Sequence, residues 1–213
     1  QESHGFNILK YQKLSNMTTY RVNLQELTEA WLRELKEKYG KSDVELRILP
    51  SSSTTFDERD FWKVINLLDW AHDEDDVEAI IEPAVQYLSE QDISAVYAFE
   101  DLLTEKLRSL DSHIYAQQLG EHAPSKEGDF SSDYFLYARA CVVANGKDYY
   151  EAVQKDPSEM PQEHTFEALL SISDKAYERK TGKKFDYQPP QSYETYSNAE
   201  GWDRSLMDRL TEE

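Results

Sequence analysis

A single cysteine, Cys141, in 213 residues excludes an internal disulfide, so packing must hold the fold, as is usual in a reducing compartment. No run of the ~18 apolar residues needed to span a bilayer occurs, which argues against a membrane helix. Gln1 to Asn16 also lacks the cationic start and apolar block of a signal peptide. A cytoplasmic location is the expectation. Histidine is scarce and scattered: His4, His72, His113, His122 and His164 never pair at the i, i+3 or i, i+4 spacing that puts two ligands on one helical face. No metal or cofactor is therefore expected.

Positive charge is also scarce: 23 Lys and Arg face 42 Asp and Glu, a net charge of −19. Residues 1–50 hold 8 basic and 7 acidic side chains, which leaves 15 basic and 35 acidic in residues 51–213, a net charge of −20 there. Such a surface repels nucleic-acid phosphates and anionic lipid and attracts basic proteins. A basic protein partner is expected, with neither nucleic acid nor membrane.

What is present is apolar patterning. Hydrophobic residues make up 39% and aromatic residues 12%, including 14 Tyr and 4 Trp, enough to offset chain entropy over most of the molecule. Tyr20 to Asn23 reads as a strand. Leu24, Leu27, Trp31, Leu32, Leu35 and Tyr39 then recur at helical spacing up to Gly40, and Val44, Leu46 and Ile48 alternate with polar residues before Pro50. Residues 1–50 thus predict a small β-α-β module. Two strands are marginal alone, so the module needs a third, at Phe6 to Tyr11, or a second copy of the chain in a homodimer. Ser51 to Thr55 reads as a linker.

From Phe56 the pattern predicts helix after helix, a mainly α, multi-helix orthogonal bundle over residues 56–182. Asp57 caps a helix burying Phe61, Trp62, Ile65, Leu68 and Trp70, while Pro83 predicts a kink or break near Glu82. A long helix from Asp92 buries Val96, Phe99, Leu102, Leu103, Leu107, Leu110 and Ile114. Two helices flank Gly146, and a last one runs from Glu163 to Lys180. Residues 183–213 predict an extended tail with Pro189 and Pro190, then a short amphipathic helix through Trp202, Leu206 and Leu210.

Few residues offer chemistry. His72 to Asp76 reads as the acidic start of a helix rather than a cation loop, since it lacks the glycine turn and late glutamate of an EF-hand. Cys141, among Ala140, Val142 and Val143, reads as core. Arg139 differs: its guanidinium stays charged, so burial among Phe135, Ala138 and Val142 demands a carboxylate or several carbonyls. Asp133 and the preceding acidic loop are the nearest candidates in sequence. The cluster Asp133, Arg139, Tyr134 and Tyr150 therefore reads either as a structural ion pair or as the lining of a small-ligand or enzymatic cleft. No catalytic residue is assigned.

The stretch from about Phe56 to Gly182 resembles the bacterial family of unknown function DUF4240. The resemblance rests on Phe61, Trp62 and Ile65, then on Asp133, Phe135, Arg139 and Gly146. It continues through Tyr150 with Ala152, Asp156 with Pro157, and Ala176, Tyr177, Glu178, Thr181 and Gly182. Two departures stand out: Cys141 occupies a position where the family usually has tryptophan, and His122 to Phe130 replaces a glycine-rich lead-in. The resemblance implies a helical domain and no known activity. Together with the charge it points to a non-enzymatic binding or regulatory protein acting through an acidic helical domain.

Overall fold

The computed structural model describes residues 28–42, 56–73, 75–125 and 130–202. Contacts divide the chain into two units, residues 1–49 and 50–213. In the first, α1 (Glu29–Tyr39) begins where the Thr28 hydroxyl accepts a hydrogen bond from the Trp31 amide, and ends at Gly40. The strands expected at residues 6–11, 20–23 and 44–48 lie outside the described residues.

The second unit is mainly α. It contains α2 (Glu58–Ile65), α3 (Val77–Glu90), α4 (Ile93–Ser109), the single turn α5 (His113–Ala116), α6 (Ser132–Ala144), α7 (Lys147–Lys155) and α8 (Ile172–Thr181). No strand occurs among the described residues. α2 is short but firmly started: Asp57 accepts from the amides of Arg59 and Asp60, and the Asp60 side chain accepts from the Asp57 amide in return. Its apolar spacing buries Phe61, Trp62, Val64 and Ile65. α4 buries Val96, Phe99, Leu103 and Leu107, one side chain per turn, and α3 packs along α8. In α6, nine of thirteen residues are buried, so it runs through the interior with no solvent face of its own.

Four local expectations are corrected. Of the kink or break expected near Glu82, the break is absent: α3 continues through Pro83. Pro83 cannot donate to the Ala79 carbonyl, yet one residue on, the Ile80 carbonyl accepts an added bond from the Asp69 amide at 2.9 Å, which ties the preceding loop to this turn. α2 stops at Ile65, so Trp70 sits in the following loop, 48% exposed, rather than on a buried helical face. α4 ends at Ser109, which leaves Ile114 at 54% exposure. The last helical stretch splits into a 3₁₀ turn, Glu167–Ser171, and α8. In the last three cases a backbone turn intervenes where side-chain periodicity alone suggests continuity.

Phe61 is the pivot of the aromatic core, 5.1 Å from Phe99 and 4.9 Å from Trp62 between ring centroids. Phe61→Ala is expected to lower unfolding free energy by ~3–5 kcal/mol in urea titration, the usual cost of an unfilled aromatic site. A loss below ~1 kcal/mol contradicts this packing.

Candidate functional site

Among the described residues, the two charged side chains with 0% exposure, Arg139 and Asp111, both lie at the C-terminal end of α4. The last carbonyls of a helix have no partner within it and carry the negative end of its dipole. Here they are met from outside. Arg139, on α6, sends one terminal nitrogen to the Leu107 carbonyl at 2.9 Å. The Tyr150 hydroxyl, on α7, donates to the Lys106 carbonyl at 3.4 Å and shares a 2.5 Å hydrogen bond with Ser109 Oγ. Asn198 reaches the Arg108 carbonyl at 3.5 Å.

Arg139 is 0% exposed. Besides Leu107, the same nitrogen donates to the Tyr193 carbonyl at 3.0 Å, and the other terminal nitrogen donates to Thr195 Oγ1 at 2.9 Å. The guanidinium carbon lies 4.6 Å from the Phe135 ring centroid, a cation–π contact. Its Nε has no hydrogen-bond partner. Burial lowers its pKa to about 10, against the raising fields of Asp111 and Glu194, so it remains a cation near neutrality. Among the described residues its direct partners are two carbonyls and one hydroxyl, and no carboxylate forms an ion pair with it.

The anion of this region is Asp111, also 0% exposed and just past the end of α4. A carboxylate there faces the wrong end of the helix dipole, and four donors compensate it. Oδ1 accepts from the Tyr196 amide at 3.1 Å and from Trp202 Nε1 at 2.9 Å; Oδ2 accepts from the Asn198 amide at 2.8 Å and from Ser197 Oγ at 3.3 Å. All four come from residues 196–202. Arg139 and Asp111 thus fasten residues 183–202, an extended strap, to the bundle.

The strap runs along α4. Tyr187 donates to Asp101 at 2.7 Å and lies 4.5 Å from Tyr97, with Phe185 between Tyr97 and Tyr177. Thr195 also donates to the Ser132 carbonyl at the start of α6. At the far end Tyr196 adopts φ of 72°, a left-handed conformation rare for a bulky residue, held by its amide bond to Asp111 and its ring against Trp202 at 4.7 Å. Gly201 passes so close to Asp111 and Ser112 that an added Cβ would meet the Asp111 carbonyl oxygen at 2.6 Å.

The four sequence candidates separate in space. Arg139 and Tyr150 converge on neighbouring carbonyls of α4. Asp133 is exposed in the first turn of α6. Tyr134 stacks on His122 at 3.9 Å and donates to the Gln162 carbonyl at 2.8 Å, clamping two loops. Sequence reasoning missed Asp111, Tyr193 and Thr195. Their signal was faint: an aspartate after an apolar helix, and a tail rich in tyrosine but with almost no aliphatic residues.

A second buried polar group lies beside the strap. Glu100 on α4 is 6% exposed, and its Oε2, like Thr104 Oγ1 one turn on and Ser173 Oγ on α8, has no hydrogen-bond partner. Burial pushes Glu100 up to about 7, and Asp101 and Asp174 raise it further. Tyr193 of the strap is pushed up to about 12 by burial, then by Glu100 and Glu194. No group of three or more metal-ligating side chains occurs among the described residues.

Residues 56–179 match the family model described as a protein of unknown function, DUF4240, which is more than half of the chain. The chain belongs to the DUF4240 family. No curated protein and no solved structure matches it. Within the DUF4240 match, Phe61, Trp62 and Ile65 form core, Gly146 starts α7 with φ of 92°, and Asp156 caps a 3₁₀ turn through the Ser158 amide. Arg139 and Asp111 lie inside the match, whereas the strap they hold lies beyond it.

Asp111→Ala is expected to cost ~3–5 kcal/mol in urea unfolding, because it leaves strap donors unpaired and Arg139 without its balancing field. Limited proteolysis should then cut within residues 183–202 before the bundle; an unchanged cleavage pattern contradicts the arrangement. Glu100 gives a pH prediction. Its native pKa, about 7, exceeds the ordinary 4.5, so its contribution to stability is full below the ordinary value and fades as pH rises through 7. Glu100→Gln should therefore melt close to wild type near pH 5 and above it near pH 8, by up to about 3 kcal/mol. A gap that does not widen with pH contradicts this.

Proposed function

We propose that this DUF4240 protein is a non-enzymatic binding or regulatory protein whose acidic helical domain captures a basic protein. The observation that carries the reading is the complete burial of Arg139, the residue best suited to anion or ligand chemistry, beneath the chain's own strap. A ligand cleft around Arg139 would need that guanidinium open to solvent. Its donors are instead directed at α4 and at residues 193 and 195. With this interior committed to structure, the acidic surface is the feature left for recognition. Residues 51–213 carry a net charge of −20, which favours a cationic protein over nucleic acid or anionic lipid. No helix among the described residues is long and apolar enough to cross a membrane. The proposal includes a cytoplasmic setting and a homodimer through residues 1–50.

Calorimetric titration of the full chain with an arginine-rich polypeptide, and with a neutral one of equal length, tests this. Only the basic probe should bind, with affinity falling at least about tenfold as salt rises from about 50 to about 300 mM. Absence of binding at low salt, or binding indifferent to salt, contradicts the proposal.

A further inference from the structure

We infer that Trp70, seated on Phe166, is the contact point at which this domain receives an arginine-bearing segment of its basic partner; the inference rests on the acidic-capture reading above. Trp70 is 48% exposed, yet it is not loose: its ring lies 5.0 Å from that of Phe166, which is only 7% exposed. The loop that carries it is pinned by the Asp69 amide on the Ile80 carbonyl and by the Ala71 amide on the Asp69 carboxylate. A large aromatic surface is thus presented on a fixed support. Tryptophan is among the residue types enriched at the hot spots of interfaces.

The chemistry of the occupant follows from what surrounds the ring. Between Lys63 and Lys106 the sequence has no Lys or Arg and twelve Asp or Glu; between Lys155 and Lys175 it has none and five. Trp70 belongs to the first of these stretches and Phe166 to the second, so their contact brings two cation-free acidic segments together. Asp73 and Asp75 on one side, and Glu163 and Glu167 on the other, are exposed. Lys175 and Arg179, just past the second stretch, are engaged with Glu78 and Glu82 on α3. His72 lies 3.5 Å from Asp69 at the edge of the loop.

Elsewhere among the described residues, rings of Tyr39, Tyr87, Tyr150 and Phe135 each carry an internal Lys or Arg. Trp70, the ring type that attracts cations most strongly, carries none of these, although it sits in the acidic part of the chain. A guanidinium laid on its face would gain the ring quadrupole and the nearby carboxylates together, and arginine stacks on such a plane better than lysine does. An anionic segment would be repelled by the exposed carboxylates of the two acidic segments.

The test is fluorescence anisotropy of a labelled arginine-rich peptide, with lysine-rich and glutamate-rich controls, against wild type, Trp70→Ala and Asp73→Asn/Asp75→Asn. The arginine peptide should bind more tightly than the lysine peptide, and the glutamate peptide should not bind. Trp70→Ala should weaken arginine binding about tenfold. The exposed double variant, which alters no buried group, should weaken it about threefold or more. Equal affinity of wild type and both variants overturns the Trp70 contact while leaving acidic capture standing. Failure of every basic peptide to bind wild type sinks the capture reading and this inference together.

Discussion

A guanidinium that cannot give up its charge, placed where no water reaches, constrains everything around it. Arg139 lies in the buried stretch of α6 from Phe135 to Ala144, among apolar side chains, and its charge must be satisfied inside the bundle. The fold meets this demand with the end of α4, whose last carbonyls lack helical partners, and with an extended strap that supplies one more carbonyl and a hydroxyl. The helix end needs positive charge and the arginine needs acceptors, so each resolves the other. The strap is then not an appendage but part of the solution.

Asp111 completes this arrangement from the opposite sign. A carboxylate at the negative end of a helix is unfavourable alone, and it becomes tolerable because four strap donors converge on it. The same four bonds fix the strained backbone of Tyr196 and bring Gly201 against Asp111 and Ser112. Charge, backbone strain and close approach all concentrate at one end of α4. Glu100, two and a half turns earlier, lacks such compensation and titrates near neutrality for that reason.

Much of the bundle was legible in the sequence because helical periodicity reports one thing well, the face turned toward the core. Phe61, Trp62 and Ile65, and Val96, Phe99, Leu103 and Leu107, are buried as that spacing predicts, whereas Leu102 is only partly buried. Periodicity was misleading where a turn preserved apolar spacing without preserving the helix, as at Trp70 and Ile114. The need for an internal partner to Arg139 was also legible, but its identity was not. Sequence proximity favoured Asp133, whereas the acceptors come from residues 32, 54 and 56 positions away. Two of them are carbonyls, which no residue type reveals. The family match adds a boundary: the residues that grip the strap fall within it, and the strap does not.

The interior and the surface accordingly play different parts. Inside, Arg139, Asp111 and Thr195 hold α4, α6 and the strap together; the proposed capture of a basic partner falls to the acidic surface. The central claim, that the strap is as firmly built in as the helices it crosses, is tested most directly by native-state hydrogen exchange on the intact chain. The amides of Tyr196 and Asn198 should open with the same free energy as those of Leu103 and Leu107 in α4, since all are released together. Exchange at Tyr196 and Asn198 as fast as in an unprotected loop, with α4 still closed, would contradict it.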